Sequence, residues 1–113
     1  MSMDQLLADL RKEYLDGLPS RLAGIRQHLV EGAIETLEDD FHKLKGTGRT
    51  YGIPEISDVG ELVESICGIA RHHVTAAIPL AIELLTDIHK ARIRQETFDV
   101  KADPRFSTLR KLA

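Results

Sequence analysis

The segment Phe41-His42-Lys43-Leu44-Lys45-Gly46-Thr47-Gly48-Arg49-Thr50-Tyr51-Gly52 carries the side chains with most chemical potential in this 113-residue sequence. Ile34, Leu37, Phe41, Leu44, Gly48 and Tyr51 recur at spacings of three and four, the period of an amphipathic helix. His42 lies one helical step of about 100° beyond Phe41, at the rim of the buried face, with its imidazole toward solvent. Lys45, Gly46 and Arg49 follow it by three, four and seven residues and share its face. A neutral imidazole nitrogen is a nucleophile, and with a reference pKa of about 6.5 the ring is neutral for most of the time at pH 7. Lys45 and Arg49 can stabilise negative charge arriving at that nitrogen, as phosphoryl transfer requires. Gly46 and Gly48 each cost a helix interior about 1 kcal/mol relative to Ala, so each needs a reason. Gly48 lies in the apolar stripe, where a neighbouring helix backbone would approach. Gly46 lies beside His42, where a bare patch suits a bulky macromolecular donor.

The elements that must position this segment are all of helical period. Helix A is predicted over about 3–16, with Ser2 and Gln5 at capping-box spacing. Its stripe is Met3, Leu6, Leu7, Leu10, Tyr14 and Leu15. Gly17 and Pro19 interrupt it, and Pro19 opens helix B, which runs to about Val30 with Leu22, Ile25 and Leu29 inward. Helix C holds the His42 segment. Helix D spans about 55–76, with Ile56, Val59, Val63, Ile66, Ala70 and Val74 inward. Helix E starts near Pro79 and reaches about Glu96, with Ala81, Leu84, Leu85 and Ile88 inward. Residues 98–113 lack a clear period and read as an irregular tail that docks through Phe98, Val100 and Phe106. The expected fold is an all-α antiparallel up-down four-helix bundle with an additional N-terminal helix, one domain over 1–113 with its bundle core at about 18–97.

Composition excludes several function classes. Lys and Arg total 15 against 18 acidic residues, a formal charge of −3, so no strong field draws nucleic acid or an anionic membrane. Aromatics are 4% with no Trp, which argues against a base-stacking platform. The apolar runs fall far short of the ~20 residues that span a bilayer. Cys67 is the single cysteine, so no internal disulfide forms, and with no signal-peptide pattern the expected location is the cytoplasm. No Gly-rich nucleotide-binding loop appears, so no ATP site is expected.

The pattern His42-x-Leu44-Lys45-Gly46, with Gly52 ten residues after the His, resembles the histidine-containing phosphotransfer (HPt) domains of multistep His–Asp phosphorelays. The resemblance continues through Ile56, Val59, Gly60, Val63 and Glu64. Upstream it includes the run from Tyr14 to Leu22, and in all it covers about residues 10–90. It implies that His42 accepts a phosphoryl group from an aspartyl phosphate on a response-regulator receiver domain, or from a hybrid sensor kinase, and passes it to another receiver. Lys45 would steady the phosphate, Gly46 would leave room for the receiver, and Glu64 would hydrogen-bond the far ring nitrogen and fix the tautomer. Lys43 and Arg49 are further candidates for phosphate or partner contacts. The carrier itself needs no cofactor, Mg²⁺ belonging to the receiver, and no metal site of its own is expected. The receiver would pack near helices B and C, with Leu18 and Ile25 as candidate apolar rim contacts, on a carrier expected to be a monomer. The chain departs from the pattern in Phe41 and Arg49, where the family is often small, and in Gly32, near which an acidic cap is common.

Blander uses of the same residues compete with these. Taken alone, His42 is an ordinary half-exposed histidine. Lys43 reads as part of a solvated face, and Glu38 and Asp39 stand at helical spacing to pair with Lys43 or Lys45. Glu64 also reads as a surface carboxylate, and Cys67 as a small core residue. His28, His72, His73 and His89 show no recognised metal spacing. A non-phosphorylated adaptor that binds a receiver or kinase is the alternative function. A metal-binding bundle and a hydrolase are weaker ones.

Overall fold

Helical periodicity dominates the molecule as it does the sequence. The computed structural model describes residues 2–113. Among them the helices are α1 Met3–Val30, α2 Ile34–Thr50, α3 Pro54–Ile69, α4 Val74–Ile93 and α5 Pro104–Leu112, with 3₁₀ turns at Arg71–His73 and Val100–Ala102. α1 and α3 each pack against α2 and α4, which closes a four-helix bundle, and α5 lies against α3 and α4. Leu22, Ile25, Leu37, Phe41, Leu44, Ile56, Val59, Val63, Ile66 and Ile88 are buried in one continuous core, as the stripes predict. Gly32 and Gly52 close the first two interhelical turns at φ +68° and +77°, a left-handed backbone that glycine adopts without penalty.

The break expected at Gly17–Pro19 is absent, because α1 runs through both residues. A proline inside a helix leaves the carbonyl four residues back without its donor. Here that carbonyl belongs to Leu15, and His89 Nε2 on α4 donates to it at 2.9 Å. A tertiary contact replaces the lost helical bond, and two predicted helices become one. Only its inner part is covered: Tyr14 and Leu15 are buried, whereas Met3, Leu6, Leu7 and Leu10 remain exposed. Ser2 caps the helix by accepting from Gln5 N–H at 3.1 Å.

Two further boundaries move. α3 ends at Ile69, where Ala70 leaves the helical conformation, and α4 begins at Val74, so Pro79 lies inside α4 rather than at its start. The carbonyl that Pro79 frees is that of Thr75, an exposed residue where water can serve it. The C-terminal stretch is ordered as α5 in place of an irregular tail. Asp103 caps it, accepting from Arg105 N–H at 2.9 Å, and Pro104 occupies its first turn. Phe106 and Leu109 are buried beneath it, and Val100 docks as expected. Nine residues are too short for periodicity to reveal, whereas the Asp-Pro start is a legible cap.

Candidate functional site

The site begins with two glycines that let α2 and α3 approach closely. A Cβ on Gly48 would stand 2.6 Å from both the backbone nitrogen and the hydroxyl of Ser57. A Cβ on Gly60 would stand 2.6 Å from Lys45 N and 2.9 Å from Phe41 O. Gly48 therefore meets a neighbouring helix, as its place in the apolar stripe predicts. Gly60 seats α3 on the backbone of α2 at Phe41–Lys45, the stretch that contains His42. Glu64 stands one turn beyond Gly60, and the close crossing brings its side chain to His42.

His42 Nδ1 and Glu64 Oε1 are 3.0 Å apart. An ionised carboxylate can only accept, so in this contact Nδ1 is the donor and Nε2 is the ring nitrogen not engaged by Glu64. The His42 side chain is 66% exposed, and that of Glu64 is 25% exposed. Lys45 Nζ lies 3.7 Å from Glu64 Oε2, which is buried and accepts no hydrogen bond within the protein. Gly46 has open space around its Cβ position, so nothing within the bundle requires a glycine there.

Two other cations have partners of their own. Lys43 Nζ pairs with Asp39 at 3.0 Å along α2, and Arg49 Nη2 bonds Asp58 Oδ1 on α3 at 2.8 Å. Of the candidates, His42, Lys45 and Glu64 thus form one cluster, with Gly46 beside it, while Lys43 and Arg49 are held at its margins by carboxylates. Leu18 and Ile25 are buried and supply no exposed rim, contrary to the expectation for receiver contacts, because both point into the core that α1 shares with α2 and α4.

The flank toward α1 is polar and half-open. His28 Nδ1 meets Asp40 Oδ2 at 2.6 Å, and Tyr14 Oη lies 2.8 Å from Thr47 Oγ1. Burial pushes the Tyr14 hydroxyl above its ordinary pKa, against the opposing pull of Thr47 and Arg21. A groove of about 420 Å³ runs between these contacts, lined by Arg21, Gly24, Ile25, Lys43 and Thr47 among others. The His72 and His73 rings lie 4.0 Å apart between centroids and are tilted by 47°, within the 3₁₀ turn Arg71–His73. Among the described residues no group of three His, Cys, Asp or Glu is placed to hold a metal ion.

Sequence reasoning passed over Ser57. It is fully buried in α3, accepts from Arg49 N–H at 2.7 Å and donates to Lys45 O at 2.7 Å. The available signal was a hydroxyl on an apolar helix face, which must find partners wherever it is buried.

A model of the Hpt domain family matches residues 9–96. The chain belongs to that family, whose members are phosphocarriers of His–Asp phosphorelays rather than catalytic enzymes and interact there with receiver domains and kinases. No curated protein and no solved structure matches the chain. Among the described residues no helix is long and apolar enough to cross a membrane.

Proposed function

We propose that this phosphorelay protein carries its phosphoryl group on Nε2 of His42. The observation that carries the reading is the 3.0 Å contact between His42 Nδ1 and Glu64 Oε1 on a ring otherwise open to solvent. It commits the proton to the inner nitrogen and leaves the outer one as the nucleophile. The Nε2 lone pair attacks phosphorus on a receiver's aspartyl phosphate. The N–P bond forms as the acyl P–O bond breaks, and its electron pair returns to the aspartate. The ring becomes cationic in the process, and the Glu64 carboxylate stabilises that charge through Nδ1–H. Lys45 exchanges its 3.7 Å contact with Glu64 for the arriving phosphoryl oxygens. The reverse sequence delivers the group to a second receiver, or the first donor is a hybrid kinase's receiver.

Gly46 leaves the receiver free to approach, and the groove between α1 and α2 beside Lys43 offers it a surface. The receiver contributes its own acidic site and Mg²⁺. Arg49 and Lys43 lie close enough to exchange their carboxylates for partner contacts. Within this reading the carrier is a cytoplasmic monomer that presents one face to successive partners.

The test is transfer from receiver domains charged with acetyl phosphate and Mg²⁺ to the wild type and to His42→Gln. Acid-labile, base-stable label on the wild type alone is the expected result. Binding of charged receivers with no label on either protein overturns the carrier reading in favour of the adaptor.

A further inference from the structure

Ser57 is a fully buried hydroxyl on α3 whose two partners both lie in α2, the helix that carries His42. In an α-helix the Arg49 amide donates directly to the Lys45 carbonyl, four residues back. Ser57 Oγ reaches both groups at 2.7 Å, accepting from the first and donating to the second. A side chain inserted at such a point of the ladder sets the local path of a helix. The absence of a side chain at Gly48 creates the space, since a Cβ there would stand 2.6 Å from Ser57 Oγ. The neighbouring Asp58 binds the Arg49 guanidinium at 2.8 Å and ties the same turn a second time.

The carbonyl that Ser57 holds belongs to the Lys45–Gly46 peptide. α3 therefore grips Lys45 at both ends, Ser57 at its carbonyl and Glu64 near its ammonium group at 3.7 Å. The peptide between them leads into Gly46, which faces open space. We infer that Ser57 is a positioning residue for phosphoryl transfer: its hydroxyl fixes the α2 turn carrying Lys45 and Gly46 relative to His42 and Glu64. The inference rests on His42 as the phosphoryl acceptor. Catalytic groups lose rate steeply when displaced by about 1 Å, so a backbone anchor one turn from the nucleophile has leverage on the reaction.

The experiment is a double-mutant cycle between Ser57→Ala and Lys45→Met, read as the initial rate of label transfer from a receiver domain charged with acetyl phosphate. In Ser57→Ala the Arg49 amide and the Lys45 carbonyl pair with each other as in a regular helix, so no buried backbone group loses its partner and the fold is retained. Ser57→Ala is expected to slow transfer about three- to tenfold when Lys45 is present. It is expected to change the rate less than about twofold when residue 45 is Met, because residues that act through one another are not additive. An unchanged rate in Ser57→Ala overturns the inference. So does an equal slowing in both backgrounds, since the hydroxyl would then act independently of Lys45. If Ser57→Ala melts far below the wild type, Ser57→Cys, with its weaker hydrogen bonds, is read by the same criteria. A wild type that takes no label overturns the His42 reading and this inference together, whereas a labelled wild type with an indifferent Ser57→Ala overturns this inference alone.

Discussion

Replacing Gly60 by alanine places a methyl group 2.6 Å from Lys45 N, 2.9 Å from Phe41 O and 3.0 Å from Lys45 Cα. All three are backbone atoms of α2 and cannot rotate away. Nonbonded heavy atoms rest at about 3.5 Å or more, so the shortest contact falls about 0.9 Å short and the two helices must separate by a comparable amount. Glu64 moves with α3, and its 3.0 Å contact with His42 Nδ1 lengthens beyond hydrogen-bond reach. Overpacking of this kind costs about 1–3 kcal/mol, and contacts this short against rigid backbone take the upper half of that range, about 1–2 kcal/mol more than the helix-propensity gain of replacing glycine. At about 4 °C or more per kcal/mol, a net loss of 1–2 kcal/mol lowers Tm by about 4–8 °C. Gly46→Ala is the matched control on α2. Its added methyl meets nothing within 4 Å, so it gains about 1 kcal/mol of helix propensity and raises Tm by about 4 °C. Thermal melts followed by circular dichroism measure both shifts. The ¹⁵N shifts of the His42 ring report whether Nδ1 keeps the proton, which Gly46→Ala preserves and Gly60→Ala loses. Phosphoryl transfer slows in both variants, through the ring in Gly60→Ala and through receiver approach in Gly46→Ala. A Gly60→Ala protein with wild-type Tm and an unchanged His42 tautomer refutes the argument from helix spacing.

Other expectations follow from contacts away from the site. His89→Leu leaves the Leu15 carbonyl beneath Pro19 without a donor and costs about 1–3 kcal/mol by chemical denaturation, while Pro19→Ala, which restores the helical donor, reduces that cost in the double variant. Burial raises the Glu55 carboxyl, but the paired Arg92 bonds at 2.9 and 2.7 Å outweigh it and hold the pKa below its ordinary value. A depressed folded-state pKa contributes stability above the ordinary carboxylate range and loses it as pH falls through the folded value. Melts between pH 6 and about 3 therefore show a flatter acid limb in Glu55→Gln than in the wild type. Burial pushes the Cys67 thiol up to about 11, so a thiol reagent at pH 8 labels it only after denaturant is added. Rapid labelling of the native protein contradicts that burial.

The His42 segment was legible because its chemistry is local. One helical period places His42, Lys45 and Gly46 on a common face, and the structure retains that placement. Gly48 was legible for a similar reason: a glycine in an apolar stripe announces a close neighbour, and Ser57 is that neighbour. What escaped were dependencies between distant residues. Pro19 reads as a helix boundary until His89, seventy residues away in sequence, supplies the missing donor. Arg49 and Lys45 look alike as cations on one face, but Asp58 and Glu64 on the next helix assign them different partners. α5 escaped because nine residues show little period and their burial depends on the α3–α4 surface beneath them. The apolar residues of the first helix show the converse error. Leu6 and Leu7 have a core pattern, but α1 extends past the bundle and leaves them uncovered.

The decisive experiment locates the phosphoryl group on the charged protein. The full chain would be loaded from a receiver domain phosphorylated with acetyl phosphate, then studied by ³¹P and ¹⁵N NMR and by peptide mapping under basic conditions that preserve N–P bonds. The expected result is a single phosphohistidine on His42, with phosphorus on Nε2 and the proton still on Nδ1 facing Glu64. Phosphorus on Nδ1, or on the exposed His72 in place of His42, contradicts it.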